Sequence, residues 1–553
     1  MHDADEPRST PSATSRGVSR VSRITGARVN GGWHLTPVMR GTLGRMALPL
    51  LLATALTGCS VGPDFVEPTA PPVSGYLPGK IGSTAATAGP GGGSQHFDPG
   101  ADVSGTWWRL FRSKQINNLV EEAIANHPDL AAAQAALRQA RELAAADGGS
   151  LFPSISSSDG VTRQRVNPAA QGQPGNGYDF ALYNTSVAVS FVPDIWGGRQ
   201  RTIEADTAAA EMQRFQLEAT YMTLTANVVT AALNDASYAA QIQVTREIIA
   251  SEQKLVDLLD QQFKLGAVSE ADVLSQKAQL AASLATLPPL EKARGLNRNQ
   301  LMAYLGRFPS EDKGEAVSLG GLHLPRDLPL SLPSSLVRQR PDIRAAEATV
   351  HQTGALVGVA TANMLPQITL SATGGGQAGT FAKLFQASSG IWSVGASVAN
   401  PVFDAGTLFH TKEARVAAFD QAKEKYKSTV ITAFQNVADC LKAIRADAML
   451  LQAQETSERT AAASLKISEE QFKAGSGTYL NVLNAQQTLL NARTSRVKAE
   501  AARFADTVAL YQSLGGGWWN RADVTAAADV SDPGIAVISE PLGALANGMK
   551  STK

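Results

Sequence analysis

Cysteine is almost missing from this chain: 553 residues hold two, Cys59 and Cys440, which rules out a disulfide framework. Charge of one sign is missing too. The 49 basic residues balance 49 acidic ones, so the electrostatic footprint of a nucleic-acid binder is absent and no nucleic-acid partner is expected. Aromatics make up 6% and charged residues 18%. With long alanine runs, that composition suits extended helices packed side to side better than a large globular enzyme. Beyond the first 60 residues there is no apolar run of about 18 residues, so no helix of the mature chain should span a bilayer. If a bilayer is crossed, strands must cross it. The histidines show no H-E-x-x-H spacing and no phosphate-cradling G-x-x-x-x-G-K-[ST] loop occurs, so no enzyme, metal or cofactor is expected.

What is present begins with a processing signal. Arg40 and Arg45 precede an apolar stretch from Met46 to Leu56, followed by Leu56-Thr57-Gly58-Cys59. That is a signal peptide with small residues before a cysteine at the cleavage point, the pattern after which the cysteine is acylated. Cys59 is therefore the expected lipid anchor, and Ser60 after it favours outer-membrane delivery. Residues 1–58 are set aside as extension and signal; 59–105 form a lipid-anchored linker, with the Gly89–Gly93 run read as a tether.

The rest of the chain contains itself twice. His127-Pro128-Asp129-Leu130 is matched 213 residues later by Arg340-Pro341-Asp342-Ile343, and Phe152-Pro153 by Leu365-Pro366. Gln262-Phe263-Lys264-Leu265-Gly266 is matched by Gln471-Phe472-Lys473-Ala474-Gly475 at an offset of 209, as is Val273-Leu274 by Val482-Leu483. The difference in offset falls in a loop between strands, where length changes are tolerated. Two repeats result, 106–306 and 333–519, with a linker at 307–332 and a tail at 520–553.

Each repeat reads helix, helix, strand, loop, strand, long helix, turn, long helix. Val187, Val189 and Phe191 alternate with small or polar residues, and so do Ile368 and Leu370, and Trp392, Val394, Ala396 and Val398. This period of two over about ten residues fits membrane barrel strands. The period then turns helical: Val430, Phe434, Val437, Leu441, Ile444, Ala448 and Leu451 trace a coiled-coil seam. A helix of about 64 residues from Gly198 to Phe263 would reach roughly 95 Å. Gly266 and Gly475 stand where a C-cap needs a left-handed residue, and Ser269 and Thr478 where the returning helix needs an N-cap. Pro128 and Pro341 suit a first helical turn. Asp404 reads as a strand-to-helix cap, Cys440 as a small hydrophobe on the seam, and Gly374-Gly375-Gly376 as a flexible loop.

Four strands in one chain leave two unpaired edges, which hydrocarbon does not tolerate. Three chains supply twelve strands, enough for a barrel with a lumen, continued by a tube of twelve helices.

This arrangement, with Cys59-Ser60-Val61-Gly62-Pro63-Asp64-Phe65, Trp107-Trp108, Arg340-Pro341-Asp342-Ile343, Leu365-Pro366, Pro401-Val402-Phe403-Asp404-Ala405-Gly406 and the stretch from Gly475 to Leu483, resembles the NodT-type outer-membrane lipoproteins, the TolC/OprM-like outer membrane factors. The resemblance covers about residues 59–519. It implies an α+β, TolC-like channel-tunnel: a homotrimer with a 12-stranded β-barrel in the outer membrane and a 12-helix α-barrel in the periplasm. Such a trimer is the exit duct of an RND-type tripartite efflux pump exporting small molecules, with a periplasmic adaptor and an inner-membrane RND transporter as partners. It also implies that the tip turns Lys264 to Leu274, with Gly266, Val273 and Leu274, and Lys473 to Leu483, with Gly475, Val482 and Leu483, touch the adaptor and form the closed gate. Where the family often carries acidic residues after the second tip glycine, this chain has Asn481 and Asn484; the first-repeat match to Asn481 is Asp272. Amide rings close a pore without charge, which argues against strong cation preference at that level. The competing functions are an exit duct for a type I protein secretion system and a periplasmic coiled-coil scaffold lipoprotein with no pore.

Overall fold

The computed structural model describes residues 60–79 and 82–524. Cys59, on which the lipidation reading falls, lies outside them, as do the signal segment and the tail from residue 525 onward.

In chain order the elements are β1 (His96–Pro99), α1 (Lys114–Asn126), α2 (Pro128–Gly148), β2 (Ser154–Val166), β3 (Tyr178–Phe191), α3 (Gly198–Lys264), α4 (Glu270–Tyr304), β4 (Asp327–Leu330), α5 (Pro333–Gln339), α6 (Pro341–Ala362), β5 (Gln367–Ala378), β6 (Gly390–Ala399), α7 (Thr407–Lys473) and α8 (Tyr479–Ser513). The helix-helix-strand-strand-helix-helix order occurs twice. Pro128 and Pro341 each open their helix, where a missing N–H costs nothing.

β2, β3, β5 and β6 form one antiparallel sheet in that order, with β2 and β6 as its outer edges. The register explains the period-two pattern. Ile155 faces Val189, Val189 faces Ala372 and Ala372 faces Val394, an apolar row across all four strands. One residue along, Ser154, Ser190, Ser371 and Gly395 form a polar row on the opposite face. Because side chains alternate, a slip of one residue would exchange the two faces. Gly374–Gly376, expected as a flexible loop, instead lie inside β5, paired with Val187 to Thr185 on one side and Trp392 to Gly390 on the other. A Cβ on Gly375 would stand 2.1 Å from the Thr185 carbonyl oxygen, so backbone approach accounts for that glycine.

Below the sheet run two helical hairpins, α3/α4 and α7/α8. α3 and α7 have 67 residues each, roughly 100 Å long. The seam expected on α7 is real: Val430, Val437, Leu441, Ile444, Ala448 and Leu451 are all buried, with Phe434 partly so. Cys440 packs partly buried beside it, and burial pushes its thiol up. Asp404 caps α7 as expected, its carboxylate accepting from the backbone N–H of Gly406 (2.9 Å) and Leu408 (2.8 Å). The largest core lies at mid-height, where Trp107 stacks on Tyr511 with ring centroids 5.4 Å apart and Phe111 and Phe504 are buried alongside.

The segment read as a tether is docked. β1 pairs in parallel with β4 of the inter-repeat linker. The buried Arg503 of α8 donates to the Gly91 carbonyl and to Gln95 Oε1 (3.0 Å), fixing the glycine run against the helix. Glycine richness indicated freedom; a long-range cation removed it.

Candidate functional site at the helical tip

Each hairpin turns over through a left-handed glycine, Gly266 at φ +72° and Gly475 at φ +70°, as the C-cap geometry requires. Nothing stands within 4 Å of a Cβ built on either, so the need is conformational. The returning helices then differ. Ser269 caps α4 in a capping box: its hydroxyl accepts from the Asp272 N–H (3.2 Å), and the Asp272 carboxylate accepts from the Ser269 N–H (3.1 Å) and hydroxyl (2.6 Å). Thr478 opens α8 with no side-chain cap, and Asn481 stands where Asp272 stands on α4. The one carboxylate among the three gate candidates is thus turned back on its own helix end.

Asn481 and Asn484 are exposed, and with Thr488 and Asn491 they form one uncharged stripe along α8. The opposite face of the helix, Val482, Ala485, Gln486 and Leu489, is buried.

Of the six tip residues predicted to meet a partner, Val273 and Val482 are instead buried with Leu259 and Tyr479 in a small core that joins the two hairpins. Leu274 is exposed at 58%, and Leu483 packs partly against that core. Two further apolar side chains within the expected turns are also exposed, Leu265 at 84% and Leu480 at 62%. A leucine on a turn carries no sequence signal of its own; only the tertiary placement leaves these uncovered. Between the hairpins runs a groove of about 600 Å³, lined by Leu255, Leu258, Val268 and Phe472, with Lys254 and Lys473 at its margin.

At the other end of the helices, the motif after Cys59 docks residue by residue. The Val61 N–H donates to the Trp196 carbonyl (3.2 Å), and its carbonyl accepts from Arg201 Nε (3.1 Å). Gly62 lies against Gly358, where a Cβ would come within 2.4 Å of the Gly358 Cα. Asp64 pairs with Arg201, and Phe65 stacks on His351 at 4.2 Å.

A two-faced antiparallel sheet set on two paired helical hairpins of roughly 100 Å defines a TolC-like channel protein. The chain belongs to the outer membrane efflux protein family, whose description matches residues 119–307 and 332–516. It is 30% identical over 493 residues to the toluene efflux pump outer membrane protein TtgF of Pseudomonas putida, covering 86% of this chain and 97% of that one. It is 27% identical over 419 residues to the pyoverdine export outer membrane protein OpmQ of Pseudomonas putida, covering 74% of this chain and 88% of that one. Among solved structures, the outer-membrane channel OprN superposes with a TM-score of 0.75 at 27% identity, over 83% of this chain and all of that one. The chain is an outer-membrane efflux duct whose helical tunnel stands in the periplasm.

Proposed function

We propose that three copies close into one duct, the exit of an RND-type tripartite pump for small organic molecules. The observation that carries this is the order of neighbours within the chain. α3 is flanked by α2 on one side and α6 on the other, whereas among the described residues α7 has α6 on one side and no counterpart of α2 on the other. The sheet has the same incompleteness, ending in the free edges β2 and β6. A heterologous contact that joins β6 and α7 of one copy to β2 and α2 of the next repeats the seam already built between the two repeats, and closes as a ring. The β6–α7 junction supports this: Val402 and Phe403 are 93% and 89% exposed. At the corresponding junction before α3, Trp196 is held by Pro366, its Nε1–H donating to that carbonyl at 2.8 Å. Twelve strands then leave no edge in hydrocarbon, with the Ile155–Val394 row facing lipid and the serine row facing the lumen.

Asn481 and Asn484 form the periplasmic gate as neutral rings, and Asp272 serves α4 as a cap rather than the pore as a charge. The adaptor meets the tip through Leu265, Leu274 and Leu480, on turns held by Gly266 and Gly475 and backed by the buried Val273 and Val482. Cargo of modest size is supported by the relatives, one named for toluene efflux and another for pyoverdine export. Cys59 carries the lipid, and the described residue that follows it, Ser60, sits against Gly197 at the sheet–helix junction.

Purified protein should migrate as a trimer in an unheated SDS gel and as a monomer after heating, and should insert into planar bilayers in discrete conductance steps. A monomer before heating, without conductance, would overturn the reading.

A further inference from the structure

The chain has two repeats but one N-terminal segment, so the joint between its own repeats and a joint between copies cannot be built alike. α3 and α7 match without a gap, 67 residues each at an offset of 209, and α2 and α6 open at Pro128 and Pro341, 213 apart. Each contact of α3 with the second repeat therefore has a counterpart that α7 would make with the first repeat of the next copy.

Inside the chain the upper joint is a cation, a carboxylate and a histidine. Arg201 and Glu204 of α3 pair at 2.7 Å, and Glu204 reaches His351 Nε2 of α6 at 2.9 Å. At the same offsets His410 and Glu413 of α7 stand for Arg201 and Glu204, and Arg138 of α2 stands for His351. The three groups recur with arginine and histidine exchanged. The N-terminal segment accounts for the exchange. Arg201 is buried, and two of its acceptors, Asp64 and the Val61 carbonyl, come from that segment. At a joint without the segment a buried guanidinium on the long helix would be short of acceptors. A histidine stands there instead, and the arginine on the facing helix supplies the carboxylate with its cation. In the single chain His410, Glu413 and Arg138 are all exposed. Among the described residues Arg138 and His410 have no ion-pair or hydrogen-bond partner, and Glu413 pairs with the adjacent Lys412 at 3.5 Å.

The lower joint is exchanged in sign. The 3₁₀ turn Trp518–Asn520 behind α8 has its counterpart in Pro309–Glu311 behind α4, again 209 apart. Arg521, after the first turn, meets Glu218 of α3 at 2.8 Å. Asp312 follows the second turn, and Lys427 of α7 stands for Glu218, so acid on α3 with base on the turn becomes base on α7 with acid on the turn. Hydrogen bonds from Arg298 hold the Asp312 carboxyl down to about 2, which keeps it charged. An apolar side chain is left uncovered beside them: Ile431, 69% exposed, stands for Met222, 9% exposed and lying against Gly516. The contact of Phe215 with Arg344 is not kept, its counterparts being Glu424 and Ala131.

We propose that the joint between copies is the charge-exchanged form of the joint between repeats. Glu413 takes Arg138 of the next copy with His410 beside it, Lys427 takes Asp312 of the next copy, and the turn after that copy's α4 covers Ile431. The exchange also sets the order of closure. Repeat on like repeat would bring Glu218 onto Asp312, or Lys427 onto Arg521, whereas alternating repeats match in charge at every joint. The inference rests on the reading of three copies as one ring, and names the residues that select its register.

Two measurements on the assembled protein in membranes test it. With Glu413→Cys/Arg138→Cys, a short bismaleimide should join copies into covalent dimers and trimers that survive heating in SDS, while each single variant runs as a monomer after heating. Glu413→Arg and Arg138→Glu should each lower the temperature of trimer dissociation by on the order of 5 °C, and the double swap should recover most of that loss. Lys427→Glu, which sets two acids together, should lower it more than Lys427→Gln; equal falls would remove the lower pair. No cross-link in a protein that migrates as a trimer, or a double swap as weak as its two changes added, would overturn the register and leave the ring. A parent protein that never migrates as a trimer would overturn the ring, and this inference with it.

Discussion

Arg201 on α3 and Asp64 in the N-terminal segment form a salt bridge of 2.5 Å, with the Arg201 side chain 5% exposed and that of Asp64 87% exposed. The same guanidinium reaches Glu204 at 2.7 Å and the Val61 carbonyl, so one buried cation ties the first described residues to the top of the helical hairpin. The two ends of the bridge are unequal. Replacing Arg201 by Met leaves the Val61 carbonyl without its donor and Glu204 with His351 as its remaining partner, and should cost about 1–3 kcal/mol. Replacing Asp64 by Asn removes an exposed partner and should cost less than about 1 kcal/mol. Thermal dissociation of the assembled protein reads the difference; equal shifts would mean that the segment is not anchored through Arg201.

The strand register assigns each substitution to a face. Arg at Val189 or Val394, on the apolar row, should cost on the order of 2–4 kcal/mol per chain near the bilayer midplane. Arg at the neighbouring Ser190 or Ser393 should be accommodated by lumen water. Yield of assembled protein in the outer membrane separates the two sets, and equal impairment would show that the faces are misassigned.

If Asn481 and Asn484 form the proposed gate, Asn481→Ala/Asn484→Ala should raise the conductance of the resting channel in planar bilayers, because the proposed neutral rings lose their hydrogen-bonding amides. Asp at either position should place three like charges in one ring and make closure sensitive to pH and to divalent cations. A double-alanine channel as tightly closed as the parent would move the constriction away from α8. Asp272→Asn should weaken the α4 cap, with a stability cost of about 1 kcal/mol and little effect on ion preference.

A pH-dependent term is built into the α7/α8 pair. Burial, reinforced by the neighbouring Asp447 carboxylate, pushes Asp506 up to about 7. A carboxyl raised in the folded state stabilises the fold while protonated, and that contribution is lost as pH climbs from the ordinary carboxylate range through about 7. Asp506→Asn should therefore stabilise the protein at pH 8 by on the order of 1–3 kcal/mol and change little at pH 4. Melting curves at the two pH values decide it; a variant equally affected at both would remove the titration from the account.

Metabolic labelling with a palmitate analogue should mark the parent protein and leave Cys59→Ser unmarked. Membrane attachment should fall less in that variant than in one with the strands disrupted, since the twelve strands of the proposed trimer would still hold the assembly. Equal labelling of both proteins would end the lipidation reading.

Periodicity along the chain determines much of this protein. The 213- and 209-residue offsets, the seven-residue seam from Val430 to Leu451 and the alternation around Val187–Phe191 each depend on neighbours within one or two turns or pairs, so the chain displays them locally. The turn glycines Gly266 and Gly475 were legible for the same reason. Other features depend on partners hundreds of residues away. Gly89–Gly93 reads as slack chain until Arg503 of α8 supplies the donor that fixes it. Gly374–Gly376 read as a loop until β3 and β6 pair on both sides. Asp272 resembles a pore carboxylate by position, but the choice between pore and cap belongs to Ser269, whose hydroxyl and N–H it accepts from. Glu252 sits among ordinary polar neighbours on a helix, and only the packing of α3 on α4 removes it from water and leaves its Oε2 without a donor among the described residues. A pattern repeated along the chain announces an element because a helix or strand is a local solution to burial and hydrogen bonding. Which buried polar group is left uncompensated is decided by what the folded chain brings against it, and that only the tertiary structure holds.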